Sequence, residues 1–230
     1  MTTPVWTIHK TLSGDSSVQA LFFTRDQGLV RALYKGGRTP KKQALLREFT
    51  PLWVEFSERR GWYYVRHIEI AGASLPLTHT HLFSALYLNE LLYHALQPQE
   101  SYPELYDGYV TSLQHIQTAS DMQDLERILR RFEWALLVSL GYGISLTHDA
   151  ESRLPIEASN YYDLQVSQGF IQSKRGILGA HILALARDDL TDPVVLRTAK
   201  YVMRQTIAHA LNGKEIRTRA LFKISIDKHS

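Results

Sequence analysis

"LVRALYKGGRTPKKQALLRE" (residues 29–48) is the stretch on which the fold of this chain turns. It opens as a strand, since "LVRALYK" alternates apolar and polar side chains roughly, near period two. Gly36, Gly37 and Pro40 then end the strand and open a loop. "ALLRE", behind the loop, has the composition of one helical turn or a short helix. Charge sets the stretch apart as much as pattern does. Arg31, Lys35, Arg38, Lys41, Lys42 and Arg47 precede the next acid, Glu48, so six cations fall in seventeen residues with no local neutralisation. Solubility needs no patch of one sign. The stretch points to a negatively charged partner.

On either side of it lie further strands. "VWTIHKTL" and "VQALFFT" are β-branched and aromatic and are separated by "SGDSS", which is turn chemistry. "RDQG" makes the next turn. After the basic loop come "LWVEFS", the tight "ERRG" and "WYYVRHIEI". Five strands in seventy residues, with a long interruption between the third and fourth, suggest a small closed antiparallel barrel. The OB-fold has that strand count and often a helix at that place. The barrel segment also holds Trp6, Phe22, Phe23, Tyr34, Trp53, Phe56, Trp62, Tyr63 and Tyr64. Alternation sends most of them to the core. The neighbours Phe22/Phe23 and Tyr63/Tyr64 point to opposite faces, which leaves one of each pair for the outside.

From residue 78 the period becomes helical. "LFSALYLNELLYHAL" (82–96) carries two adjoining apolar stripes, so most of its surface is expected to be buried. Pro98 and Pro103 break the pattern, and "YDGYVTSLQHIQTA" resumes it. "DMQDLERILRRFEWALLVSLGYG" starts near Asp121 and is stopped by Gly141 and Gly143. Residues 147–175 lose the period, and "YYDLQVSQGFIQS" reads as a hairpin turning at "SQG". "GILGAHILALA" and "VVLRTAKYVMRQTIAHALNG" are the last helices, the second entered through "LTDP" with Pro193 in its first turn. The class is α+β: a five-stranded barrel over 1–76, then a helical domain over 77–230 with a small hairpin insertion.

Composition narrows the function. No apolar run approaches the roughly 18 to 20 residues of a membrane span. "MTTPVWTIHK" shows no secretory pattern. With no cysteine among 230 residues, disulfides, thiolate catalysis and cysteine-ligated zinc are excluded, which fits the cytoplasm. The net charge of +3 hides an asymmetry: residues 1–70 hold eleven Lys/Arg against six Asp/Glu, and the remainder fifteen against seventeen. The positive field belongs to the first third.

Catalysis finds little support. There is no GxSxG, HExxH, phosphate-loop lysine or GxGxxG pattern. His79 and His81 diverge by about 200° on a helix and cannot share a metal comfortably. His148, Asp149 and Glu151 could ligate one, although loop residues of these types ordinarily serve as solvated or capping groups. A nucleic-acid reading does better, because clustered Lys/Arg release counterions from phosphates and exposed aromatics stack bases. Arg130 and Arg131, heading a nearly continuous apolar helix, suit a partner that combines carboxylates with apolar side chains. The bland alternative pairs them with Glu126 and Glu133 on a solvated face. Leu129, Phe132 and Trp134 are candidates for the wall of an adjoining groove. Lys214, Arg217, Arg219 and Lys223 form a third basic set, which as a terminal segment is equally read as a basic tail.

Taken in order, "LVRALYKGGRTPKK", "FTPL" (49–52), "YLNELL" (87–92), "LRRFEWALLVSLGYG" (129–143) and "RTRALF" resemble the bacterial recombination mediators of the RecO family, in the cysteine-free form seen in proteobacteria. No single motif is diagnostic; the ordered set is. The resemblance implies an amino-terminal OB-fold, a helical carboxy-terminal domain, no catalysis and no cofactor. It implies binding of single- and double-stranded DNA, strand annealing, and contact with the acidic tail of the single-stranded-DNA-binding protein. It further implies work with RecR to load RecA, in the cytoplasm at the nucleoid. Arg31, Lys35, Arg38, Lys41 and Lys42 match the family's basic strand and loop, and Arg47 continues that run. Arg130 matches the position implicated in holding the acidic tail, with Arg131 in support. Many relatives carry a four-cysteine zinc module where this chain has residues 147–175, so zinc is not carried over and packing must hold the hairpin. The competing reading is a helical interaction scaffold whose barrel does not bind DNA.

Overall fold

The computed structural model describes residues 2–222. Five strands, β1 (Thr2–Ser13), β2 (Ser17–Thr24), β3 (Gly28–Tyr34), β4 (Pro51–Arg59) and β5 (Trp62–Ile70), close a barrel in the order β1-β2-β3-β5-β4. The β4–β5 turn has positive φ at Arg60 (51°) and Gly61 (76°), the two-residue geometry whose twist matches the flanking strands. Gly28, at φ +59°, cannot be replaced: a Cβ there would lie 1.8 Å from the Glu100 carbonyl oxygen. Phe22, Leu52, Val54 and Ile68 meet in the barrel core. So does Leu46, from the segment between β3 and β4.

That segment contains one helical turn, α1 (Pro40–Gln43). The turn is "PKKQ" rather than "ALLRE", because Pro40 supplies the φ of a first helical turn while Leu46 is drawn into the core. The basic stretch is thus a structured loop, pinned at its far end by an apolar anchor.

The expectation for Phe22 and Phe23 fails. Both are fully buried. Phe22 faces the barrel core, and Phe23 points outward into a second apolar layer made by α3 (Pro103–Thr118), with ring centroids 5.3 Å from Tyr106 and 5.8 Å from Tyr109. Alternation along a strand tells which residues share a face but not whether a helix covers that face. Next to α3 lies α2 (His79–Ala95), whose buried Asn89 reaches the barrel. Asn89 Nδ2 faces the carbonyl oxygens of Thr7 and Ile8 at 3.5 and 3.4 Å, and Asn89 Oδ1 accepts from the Tyr109 hydroxyl at 2.7 Å. Those carbonyls lie at the register shift of β1, where regular pairing with β2 is interrupted. Burial raises the Tyr109 hydroxyl pKa well above its usual range, so it stays a donor.

The chain forms two compact units, Met1–Ala119 with the stretch from Ile216 onward, and Ser120–Glu215. α2 and α3 therefore group with the barrel. Glu90, also on α2, accepts from the backbone N–H groups of Arg217 and Thr218, both at 2.8 Å, and so fixes the start of the carboxy-terminal segment.

In the second unit, α4 (Met122–Ser139) begins at Asp121, whose side chain accepts from Asp124 N at 2.8 Å. β6 (Tyr161–Gln165) and β7 (Gly169–Ser173) form the anticipated hairpin. A third strand, β8 (Ile177–Leu178), pairs with β6, and α5 (Gly179–Ala186) starts only after it. Two residues are too few to show a period, which is why the sequence assigns them to the helix. α6 (Pro193–Ala210) is capped by Asp192, as "LTDP" suggests. The hairpin region packs through Ile156, Tyr162, Phe170, Ile182 and Val202. Packing is supplemented by a buried carboxylate: Asp149 accepts from the backbone N–H groups of Glu151 (2.9 Å), Ser152 (2.7 Å) and Gln172 (2.6 Å), tying the loop to β7. Burial opposes the Asp149 charge, but these hydrogen bonds prevail and leave its pKa below the ordinary carboxylate value.

Two outcomes are expected. Replacing Asn89 with alanine removes the acceptor of the Tyr109 hydroxyl and the donor to the β1 carbonyls, and should lower stability by about 1–3 kcal/mol in urea unfolding. For Asp149, a lowered folded-state pKa means its contribution is present above the unfolded-state value and is lost as pH falls through the folded-state value. Hydrogen exchange at the Gln172 amide should accelerate at neutral pH in Asp149→Asn and change little in a control such as Glu151→Gln.

Candidate functional site

The six cations of residues 31–47 sit on and beyond the end of β3. Arg31, Lys35, Lys41 and Arg47 are exposed, and Arg38 and Lys42 are half-buried. The partners they have are neutral. Lys42 Nζ donates to the Lys35 carbonyl at 2.8 Å and lies 4.9 Å from the Tyr34 ring centroid. Lys35 Nζ lies 5.4 Å from the Tyr64 centroid. Arg38 Nε reaches the Ser17 carbonyl at 3.4 Å, and its backbone N–H binds the Ser16 carbonyl at 3.0 Å, which ties the loop to the β1–β2 turn. Arg31 Nη1 meets Gln19 Oε1 at 3.4 Å. Among the described residues none of the six is ion-paired, whereas Glu48 is engaged by Lys10 at 3.2 Å. The patch therefore keeps its charge.

Arg130 and Arg131 are neighbours in sequence with opposite environments. Arg130 is 5% exposed, and its Nη1 lies 2.9 Å from an oxygen of Glu133, which is fully buried. Arg131 is exposed and grips Asp188 through Nε at 2.8 and 3.0 Å. The solvated-face alternative is half met: Glu133 does pair with Arg130, but inside the protein, while Glu126 pairs with Lys200. Both arginines line a cleft of about 410 Å³ whose walls include Trp134, Ile144, Leu146, Leu185 and Met203. Leu129 and Phe132 are buried and do not line it. The sequence missed Asp188 and the far walls because they come from segments more than ten residues away, which a helical period cannot relate.

The third basic set is divided. Lys214 is exposed in the second unit. Arg217 is exposed with its backbone on Glu90, and Arg219 stacks 5.6 Å from the Tyr87 ring centroid. Lys223 lies outside the described residues. In the 147–154 loop, His148 Nδ1 shares a hydrogen bond with Thr147, and Asp149 serves the backbone. Among the described residues no group of three or more His, Asp or Glu side chains could hold a metal ion. No helix among them is long and apolar enough to cross a membrane.

With this geometry in hand, comparison with known proteins becomes decisive. Residues 78–215 match the family model described as recombination protein O, C terminal. The chain is 47% identical over 218 residues to the DNA repair protein RecO of Legionella pneumophila (strain Lens), covering 94% of this chain and 95% of that one. The chain belongs to the RecO family. It is also 38% identical to the DNA repair protein RecO of Pseudomonas putida (strain W619), over 96% of both chains. The corresponding protein of Tolumonas auensis is 31% identical, over 99% of this chain and 97% of that one. The RecO architecture of an OB-type barrel followed by helices is the one observed here.

The two arginines should respond differently to loss of their partners. Glu133→Ala leaves a buried guanidinium without its counter-charge and should cost about 3–5 kcal/mol of stability in chemical denaturation. Asp188→Ala, at an exposed pair, should cost at most about 1 kcal/mol in the same measurement.

Proposed function

We propose that this protein is a recombination mediator in DNA repair, which binds single- and double-stranded DNA through its barrel, taken as residues 1–76, and anneals complementary strands. With RecR it helps load RecA onto DNA coated with the single-stranded-DNA-binding protein, and no catalysis by the mediator is involved. The observation that carries the reading is the unneutralised cation run on β3 and its loop, on a barrel of the type whose β2–β3 face binds oligonucleotides. Part of β2 is taken up by α3 here, so β3, with its loop and the adjoining β5, is the part of that face that remains for a strand. Such a surface reads phosphate rather than base identity.

A second observation supports the partner. The cleft beside Arg130 and Arg131 combines two guanidinium groups with an apolar floor, the chemistry that would take the acidic, apolar-ended tail of the single-strand binder. Asp188 holds Arg131 at an exposed site where an ion pair is worth little, so a ligand carboxylate can replace it. Arg217 and Arg219 in the first unit, and separately Lys214 in the second, are further basic positions for DNA.

If about four phosphates are neutralised, log K for a single-stranded oligonucleotide should fall with log salt at a slope of roughly −3. Lys41→Glu with Lys42→Glu should weaken binding to every sequence alike and flatten that slope. A flat salt response in the unaltered protein removes the loop from the mechanism and favours the scaffold reading. For the cleft, Arg131→Glu and Arg130→Lys should reduce binding of the tail peptide at least about tenfold, since lysine reproduces the fork geometry poorly. Arg130→Lys keeps a cation beside Glu133 and so spares the fold. Oligonucleotide binding by both variants should stay within about twofold, and equal loss in both assays would mean one shared surface.

A further inference from the structure

Phosphate contacts account for the cationic loop but not for two aromatic residues on the same side of the barrel, Trp62 and Tyr64, of which Tyr64 also lies against Lys35. Trp62 is 61% exposed at the start of β5, and Tyr64 is half-exposed two residues on. The phase of β5 is set by its core residues: Tyr63 and Val65 pack inward, which turns Trp62 and Tyr64 outward. The parallel pairing Leu33↔Tyr64 places Tyr64 beside β3, whose outer positions include Arg31 and Leu33, with Lys35 next after the strand. On the other flank, Arg59 is the register partner of Trp62 across the hairpin, and Arg60 occupies the turn. Both are exposed. Of the acids nearby, Glu55 is held by Arg66 at 3.5 Å, and Glu58 is exposed one residue before Arg59. Two rings thus stand in a row between cations of β3 and cations of the β4–β5 hairpin.

We infer that Trp62 and Tyr64 form a stacking platform for unpaired bases, an addition to the phosphate contacts that a single strand can use and a duplex cannot. The inference rests on the DNA reading above and names what the site takes beyond phosphate. Alternate residues of a strand are about 6.6 Å apart, close to twice the 3.4 Å base spacing of a stacked strand. Adjacent bases reach both rings only after they separate from each other, which a duplex resists and a single strand permits. Lys35 beside the Tyr64 ring, with Arg31 and Arg59 on the flanks, holds the backbone of the strand while its bases lie on the rings. Stacking of this kind tolerates any base, in keeping with a surface that lacks a base-edge code.

The test compares three labelled probes with the full chain over one matched series of salt concentrations: an oligothymidine, an abasic oligomer of equal length and a blunt duplex. The unaltered protein should bind oligothymidine about tenfold or more tightly than the abasic oligomer. Trp62→Ala with Tyr64→Ala should erase that advantage while abasic binding, duplex binding and the salt slope stay put. Trp62→Phe with Tyr64→Phe keeps a ring at each position and should keep most of the advantage. Equal affinity of the unaltered protein for oligothymidine and abasic oligomer overturns the platform and leaves the phosphate reading intact. Equal loss on both probes in the alanine variant also overturns it. Failure of the unaltered protein to bind any probe overturns the DNA reading and the platform together.

Discussion

Two residue pairs close the barrel. Ala32↔Tyr63 and Leu33↔Tyr64 are the whole of the parallel register between β3 and β5, and the position of the basic loop follows from them. Because β5 occupies the place beside β3, β4 must lie one strand further on, antiparallel to β3 and paired with β1. The chain leaving β3 therefore crosses the end of the barrel over β5, a distance of about 10 Å at the usual spacing between strands. β3 and β4 are separated by β5, so no two-residue hairpin turn can join them, and the crossing requires a connection long enough to carry its own structure. Leu46 seals the barrel end from that connection, and Pro40 starts the turn that leads to it. Five of the six cations, Lys35 to Arg47, are displayed at the barrel mouth because topology brings the chain there and an apolar residue holds it there.

The same closure makes the site asymmetric. On β1 and β2 the outer face is occupied: Phe23 lies against Tyr106 and Tyr109, and Asn89 completes the hydrogen bonding of β1 at its irregular point. An unsatisfied carbonyl at such a place would cost more than the modest net worth of the bond suggests, which explains a buried amide among the buried leucines of α2. With that side covered, β3, its loop, β5 and β4 are left for a ligand, and the cation run lies on the β3 part. Arg31, Lys35 and Tyr64 are all found on this uncovered side.

How much of this was legible in sequence depended on the range of the signal. Strand alternation and turn residues are local, so all five strands and the β6–β7 hairpin could be placed, and Asp121 and Asp192 marked helix starts correctly. The cation run was legible because charge needs no fold to be counted. Whatever depends on a third element was not. Phe23 and Tyr64 have the same local pattern, yet one is under a helix and the other is half-exposed. Arg130 and Arg131 are adjacent, yet α4 turns one toward a buried carboxylate and the other toward Asp188, fifty-seven residues away. Asp149 looked like a loop acid, and the amides it binds include one on β7, twenty-three residues on.

The two basic regions also show how the fold treats a positive charge according to what must be kept. At Arg130 a carboxylate fixes the side chain. In a medium that water does not reach, pairing is obligatory, since an isolated buried charge would cost several kcal/mol. The guanidinium is held in place, but much of its field is cancelled. On the loop the partners are the Lys35 carbonyl and the faces of Tyr34 and Tyr64, groups that orient an ammonium and leave its full charge. The mutual repulsion of exposed cations is screened over about 8 Å at physiological ionic strength, so leaving them unpaired costs the fold little. A carboxylate in the loop would add little stability at such an exposed site and would remove a charge that a phosphate could use. Neutral partners are thus the arrangement that positions these side chains without spoiling them for a polyanion.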